Sequence, residues 1–109
     1  MSKEYRVERW NGDSVPNAAE LTEKMQSEGY RVFAWTDEPG TIYSNHTHAE
    51  DQSHWMISGT LELNVQDHGT LVLSSGDRDF MPAGTVHSAR VPGDEPVVYL
   101  IGAKHKKAA

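Results

Sequence analysis

The sequence contains no cysteine, which excludes disulfides, thiolate zinc sites and cysteine nucleophiles together and fits a reducing compartment. Any metal must therefore be held through nitrogen and oxygen. Positive charge is scarce as well. Ten Lys plus Arg stand against sixteen Asp plus Glu, a formal charge of −6, so broad electrostatic attraction to nucleic acid or an anionic membrane is not expected. Long apolar runs are missing: Met1 to Trp10 reads MSKEYRVERW, charged throughout, and predicts neither a secretory signal nor a spanning helix. A cytoplasmic address is the default expectation. The hydrophobic share is lean at 37%, enough for a modest core.

What is present fits one domain spanning 1–109. Residues 1–29 are expected to form an N-terminal strand and helix, residues 30–102 or so a barrel core, and 103–109 a solvated tail carrying Lys104, His105, Lys106 and Lys107. From Asn17 to Glu28 good helix formers place Ala18, Leu21 and Met25 on one face, with Asn17 as N-cap and Gly29 as the stop. Beyond Gly29 the pattern becomes short β-branched and aromatic stretches, at Tyr30–Thr36 and near 42–47, 53–58, 60–66, 70–74, 78–81, 85–92 and 96–102. Turn residues separate them. So many short strands without intervening helices predict an all-β, antiparallel sandwich or barrel with one short helix.

Histidines are the conspicuous feature. His46, His48 and His54 fall within nine residues, and His87 closes the run Pro82-Ala83-Gly84-Thr85-Val86-His87. On a strand, alternate side chains share a face, so His46 and His48 can point to one interior while Thr47 points away. Neutral imidazole is also the commonest metal ligand. The pair alone is weak, because His-x-His also occurs on exposed strands. The spacing around it is more specific.

Gly40, five residues, His46-Thr47-His48 and a closing Gly59 resemble the first motif of the cupin superfamily, G-x5-H-x-H-x3,4-E-x6-G. Gly76, five residues, Pro82-Ala83-Gly84, two residues and His87 resemble the second, G-x5-P-x-G-x2-H-x3-N. The resemblance is to a small single-domain cupin, and it implies a jelly-roll barrel. It also implies one divalent ion per chain, of Fe, Mn, Ni or Zn, held by His46, His48, Gln52 and His87. Two positions depart from the pattern: Gln52 stands at the usual glutamate and Val91 at the usual asparagine. Replacing an anionic ligand by a neutral amide leaves the ion's full charge uncompensated, so the site should hold metal less tightly and attract anions more. Glu50 and Asp51 match the motif from neither side and read as loop or supporting residues.

With Gln52 pointing inward, His54, Met56 and Ser58 share its face, while Trp55 and Ile57 face away. His54 then sits beside the metal as a catalytic acid or base, as an alternative ligand, or as a histidine satisfied by a carboxylate such as Asp51. Met56 and Phe80 are expected to wall a substrate pocket. Asp77, Arg78 and Asp79 read as a surface ion-pair cluster, and Arg90 lies on the face opposite His87. Outward Trp55 and Ile57 would cover the opposing sheet or a partner subunit, and Phe33 and Trp35 share a face of their own strand. Together with the resemblance this predicts a homodimer, with one-sided core packing as the alternative.

The leading functional expectation is a metal-dependent enzyme, a dioxygenase or a Lewis-acid lyase or isomerase, acting on a small anionic or chelating substrate. The alternative is a non-catalytic barrel that binds a small molecule or senses one, with the metal as its docking point. Neither nucleic acid nor membrane is an expected partner.

Overall fold

The computed structural model describes residues 4–12 and 14–105. Along these residues the elements run β1 (Arg6–Glu8), α1 (Ala18–Ser27), β2 (Arg31–Asp37), β3 (Ile42–His46), β4 (Asp51–Ser58), β5 (Thr60–Val65), β6 (Gly69–Ser74), β7 (Arg78–Met81), β8 (His87–Arg90) and β9 (Val97–Lys104). Two antiparallel sheets result, one in the order β1-β7-β4-β9-β2 and the other β3-β8-β5-β6. This is the all-β jelly roll with a single helix. The last four residues, with Lys106 and Lys107 of the expected tail, lie outside the described residues.

The helix forms for the reasons its sequence offers. Asn17 accepts a hydrogen bond from the Glu20 backbone N–H at 2.9 Å, satisfying an otherwise orphaned donor of the first turn. At the other end Gly29 takes φ +100°, a conformation that costs glycine little and ends the helix. Leu21 and Met25 are buried on its inner face, whereas Ala18, expected beside them, is exposed.

Alternation along the strands creates two cores. Between the sheets pack Met56, Leu61, Leu63, Leu73, Val97 and Tyr99 among others. On the outer face of the five-stranded sheet Trp55 and Leu100 meet Leu21, Met25 and Tyr30. Trp55 therefore points away from the barrel as its parity requires, but α1 covers it, rather than the opposing sheet or a partner. Gly102 lets the helix settle this close: a Cβ there would lie 2.5 Å from Met25 Cε and 3.1 Å from Tyr30 Cβ. At Gly59 the constraint is harder, because φ is +79° and a Cβ would sit 2.3 Å from the Pro96 carbonyl oxygen. No side chain fits against that rigid backbone.

The expected surface cluster at 77–79 is a buried one. Asp77, Arg78 and Asp79 are 8%, 2% and 0% exposed, because the Gly76 turn is followed at once by the interior strand β7, which pairs with both β1 and β4. Arg78 donates from Nε to Ser53 Oγ at 2.8 Å and from Nη2 to Glu28 Oε1 at 2.7 Å. Its guanidinium lies 4.5 Å from the Trp55 ring centre and 4.3 Å from that of Phe80, so hydrogen bonds and ring faces together replace the water it has lost. The arginine thereby ties the end of α1 to the sheet.

Candidate metal centre

Strands β3 and β8 pair so that His46 lies opposite His87, and the turn after β3 brings His48 back over both. Ring centres stand 4.2 Å apart for His46 and His87, 4.9 Å for His46 and His48, and 5.0 Å for His48 and His87. One ligand atom from each histidine lies within 4.8 Å of the others, close enough for a single ion to be shared. The turns supporting this arrangement are locked: the Gly84 N–H donates to the His48 carbonyl at 2.9 Å, and Asp51 Oδ1 accepts from the Ala83 N–H at 2.8 Å. Asp51 thus holds the loop that presents His87. Glu50 instead pairs with Arg31 at 2.8 Å on the surface.

Tautomers follow from the partners. His46 Nδ1 lies 2.7 Å from the Ser44 carbonyl and His87 Nδ1 lies 2.9 Å from the Thr85 carbonyl. A carbonyl oxygen can only accept, so both Nδ1 atoms carry the proton and both Nε2 lone pairs are left for a ligand. Burial, reinforced by the neighbouring His87 and His46, depresses the pKa of His48 to about 4, and burial lowers that of His87 as well. His48 and His87 are thus favoured as neutral imidazoles, the form a divalent ion requires. These residues fit a metal.

Behind the three histidines, β4 carries Gln52 and His54 on its inner face. His54 Nδ1 and the His54 backbone N–H both donate to Asp79 Oδ1 at 2.8 Å, and the Tyr5 hydroxyl donates to Asp79 Oδ2 at 2.9 Å. The carboxylate that satisfies His54 is therefore Asp79 rather than Asp51, since Asp79 stands opposite His54 in the β4–β7 register. Burial disfavours the imidazolium of His54, but the adjacent carboxylate outweighs it and raises the pKa. The other ring nitrogen, Nε2, lies 3.1 Å from Gln52 Oε1. Acid or base work by His54 would have to break one of these contacts.

The histidines open on a cavity of about 240 Å³ whose remaining walls are mostly apolar. Gln52 and His54 line it. Met56 and Phe80, expected as its walls, do not: Met56 is fully buried in the inter-sheet core, and Phe80 has outward parity and stacks beneath Arg6 at 3.9 Å. The outer walls are instead Phe33, Trp35, Tyr43 and Tyr99. Trp35 Nε1 donates to Asp37 Oδ1 at 3.0 Å, the Tyr43 hydroxyl to the same oxygen at 2.5 Å, and the Tyr99 hydroxyl to Asp37 Oδ2 at 2.7 Å. Asp37, Tyr43 and Tyr99 escaped sequence reasoning, and Asp79 was read as part of a surface cluster. The one available signal was strand parity, which puts a charged Asp79 on the inward side of β7 together with Met81.

This architecture has known counterparts. Residues 33–101 match the family model of the cupin domain, and the chain belongs to that family. A DUF861 family protein from Thermotoga maritima superposes over 93% of this chain and 100% of its own, with 18% identity and a TM-score of 0.63. The DMSP lyase DddQ from Ruegeria pomeroyi is 22% identical with a TM-score of 0.64, over 73% of this chain and 40% of that one. Oxalate decarboxylase from Bacillus subtilis, described with Mn(II) centres, is 29% identical with a TM-score of 0.60, over 72% of this chain and 22% of its own. This chain therefore spans less than half of either enzyme. No curated protein sequence matches it significantly.

Proposed function

We propose that this cupin is a metal-dependent enzyme holding one divalent ion through His46, His48, His87 and Gln52, and that it acts on a small anionic or chelating substrate. The observation that carries this reading is the pair of backbone carbonyls that fix Nδ1–H on His46 and His87, leaving Nε2 lone pairs directed away from the protein's own hydrogen bonds. The likeness to an oxalate decarboxylase with Mn(II) centres supports a divalent ion of the Mn, Fe, Ni or Zn group. When bound, such an ion supplies a Lewis acid with positions open to substrate, or with iron a place for substrate and O2 together. Oxygen-using chemistry is the first activity to screen, followed by lyase and isomerase chemistry.

Gln52 needs one adjustment to serve. Amide oxygen and nitrogen are interchangeable by a half turn. As the structure stands both His54 ring nitrogens face acceptors, Asp79 Oδ1 and Gln52 Oε1; for Gln52 to serve, His54 gives up its Nε2 proton and the Gln52 amide nitrogen turns to donate there. The amide oxygen is then released from His54 within the cavity that Gln52 and the three histidines line. His54 and Asp79 thus position the fourth ligand. The chain is further proposed to work as a homodimer in the cytoplasm, on its resemblance to small single-domain cupins.

A second reading keeps one observation in its favour. The tyrosine hydroxyls at the cavity donate to Asp37 and both His54 ring nitrogens have partners, so no unengaged general acid or base outside the ligands is evident among the described residues. A non-catalytic metal-docked binding or sensor barrel would look like this. Elemental mass spectrometry after reconstitution with Fe2+, Mn2+, Ni2+ or Zn2+ tests the site, with His87→Ala alongside. About one ion per chain, lost in the variant, is expected, and an oxygen-consumption and substrate screen then separates enzyme from binder. Equal metal in parent and variant would remove the assignment.

A further inference from the structure

The outer face of the five-stranded sheet carries a second concavity, a groove of about 650 Å³ between β1 on one side and the end of α1 on the other. The β4–β7 ladder separates it from the histidine cavity, and Gln52 alone borders both. Phe80 and Pro82 give the groove apolar surface. Around them Arg6 and Lys104 bring positive charge and Glu4 and Asp51 negative charge, while the Glu28 carboxylate is already paired with Arg78.

Charges that are neighbours here do not neutralise each other. Asp51 stands opposite Lys104 in the β4–β9 register, a position from which an opposite pair ordinarily closes, yet neither forms an ion pair with any described residue. Each is turned elsewhere. Asp51 Oδ1 accepts from the Ala83 N–H at 2.8 Å, which leaves Oδ2 without a described partner. The Lys104 ammonium lies 4.3 Å from the Tyr30 ring centre and donates to the Glu28 backbone carbonyl over a long 3.4 Å, so most of its donor capacity is unspent.

Tyr30 supplies a third unspent group. The residue is 9% exposed, and its hydroxyl, bonded to no described residue, opens into the groove rather than being sealed off. Burial raises its pKa, and the charges that act on it are, in order, those of Arg78, Glu28, Asp51 and Arg6. It is therefore a protonated donor standing among charges of both signs. Buried polar groups are normally satisfied within the protein, so this one marks a place for an outside acceptor.

The arrangement selects its ligand by elimination. A simple anion would meet Lys104 and Tyr30 but also the carboxylates of Asp51 and Glu4. A simple cation would meet those carboxylates but also Lys104 and Arg6. Either leaves one sign unanswered where water is partly excluded. We infer that the groove is a binding site for a small zwitterion of the α-amino acid kind, its carboxylate taken by Lys104 and the Tyr30 hydroxyl, its ammonium by Asp51 Oδ2, and its side chain lying toward Phe80 and Pro82. Asp51 also holds the Ala83 N–H of the turn that presents His87. An ammonium on its second oxygen draws charge from the first, and an occupied groove is thereby felt at that turn.

The test needs no metal. Isotope-labelled, metal-free chain is titrated by NMR with L-leucine, with isocaproate, which lacks the ammonium, and with isoamylamine, which lacks the carboxylate. Leucine should give saturable shifts of the Lys104 and Ala83 amides and leave the Trp35 indole of the histidine cavity unmoved. It should bind roughly 5-fold tighter than either analogue, since each analogue lacks one partly exposed charged contact. Lys104→Met keeps the stem and should erase the advantage over the amine. Asp51→Asn keeps an acceptor for Ala83 and should erase the advantage over the acid. Tyr30→Phe keeps the ring and should weaken leucine and isocaproate but not isoamylamine, with the remaining amide spectrum showing that the variant is folded. An analogue that binds as well as leucine, an advantage that survives both charge variants, shifts confined to the histidine cavity, or no saturable shift at tens of millimolar overturns the proposal. Metal uptake enters none of these readouts, so the groove and the metal centre stand or fall apart.

Discussion

The two faces of the five-stranded sheet draw polar residues from the same strands, β4 and β7, and finish in opposite states. On the outer face Arg78 is 2% exposed, bonded to Ser53 and Glu28 and flanked by Trp55 and Phe80. Every strong interaction it can make nearby is made. On the inner face Asp79 and His54 are fully partnered by each other, Tyr5 and Gln52, but in front of them His46 and His87 keep an Nε2 that bonds to no described residue. A closed polar cluster specifies how elements dock, whereas convergent unspent donors invite a ligand.

Arg78→Ala should break the outer face with the largest effect. Removing a buried cation that joins helix to sheet is expected to cost about 3 kcal/mol, read as a lower denaturation midpoint. Metal bound per folded chain should not change. A shift smaller than about 1 kcal/mol would erase the distinction between the faces. The inner face should respond in reverse, with His87→Ala lowering metal affinity by about a hundredfold or more while the barrel stays folded. Affinity from metal titration and far-UV circular dichroism read the two sides.

Gln52→Glu sharpens the contrast with a smaller change. It adds negative charge beside the ion, so metal affinity should rise about tenfold and anionic ligands should bind more weakly. If neither moves, Gln52 does not touch the ion. The smallest effect is electrostatic. The hydrogen bond from Arg78 holds the Glu28 carboxyl below its ordinary pKa of 4.5. The stabilisation is therefore present above that value and fades as pH falls through the lower folded value. Glu28 is partly exposed, so the change is modest, and it should vanish in Glu28→Gln when midpoints are compared below pH 4.5. An identical acid slope in both proteins would show that solvent screens the pair fully.

Much of the fold was legible because its signals are local. Turn glycines and β-branched runs mark strands within a few residues, and Asn17 and Gly29 bracket the helix as expected. The three histidines that could share an ion were legible from spacing, and strand parity correctly separated the sides of Gln52 and Trp55. Parity failed where depth mattered. Met56 shares the inward side with His54, but lies in the dry core rather than at the cavity, and a charged run at 77–79 looked like a solvated turn although it enters an interior strand.

What the residues alone determined was therefore the order of short strands, the single capped helix, the family and the histidine set, since each depends on neighbours along the chain or on fixed motif intervals. The tertiary structure decided the partners. His54 with Asp79, Arg78 with Glu28 and Tyr99 with Asp37 are 25, 50 and 62 residues apart. Alternation tells which face a side chain takes, but not which strand lies beside it. Sheet order and register come from packing two faces and a helix at once, and only that packing places the Asp37 carboxylate beneath the aromatic mouth and the Asp79 carboxylate behind His54 and Gln52.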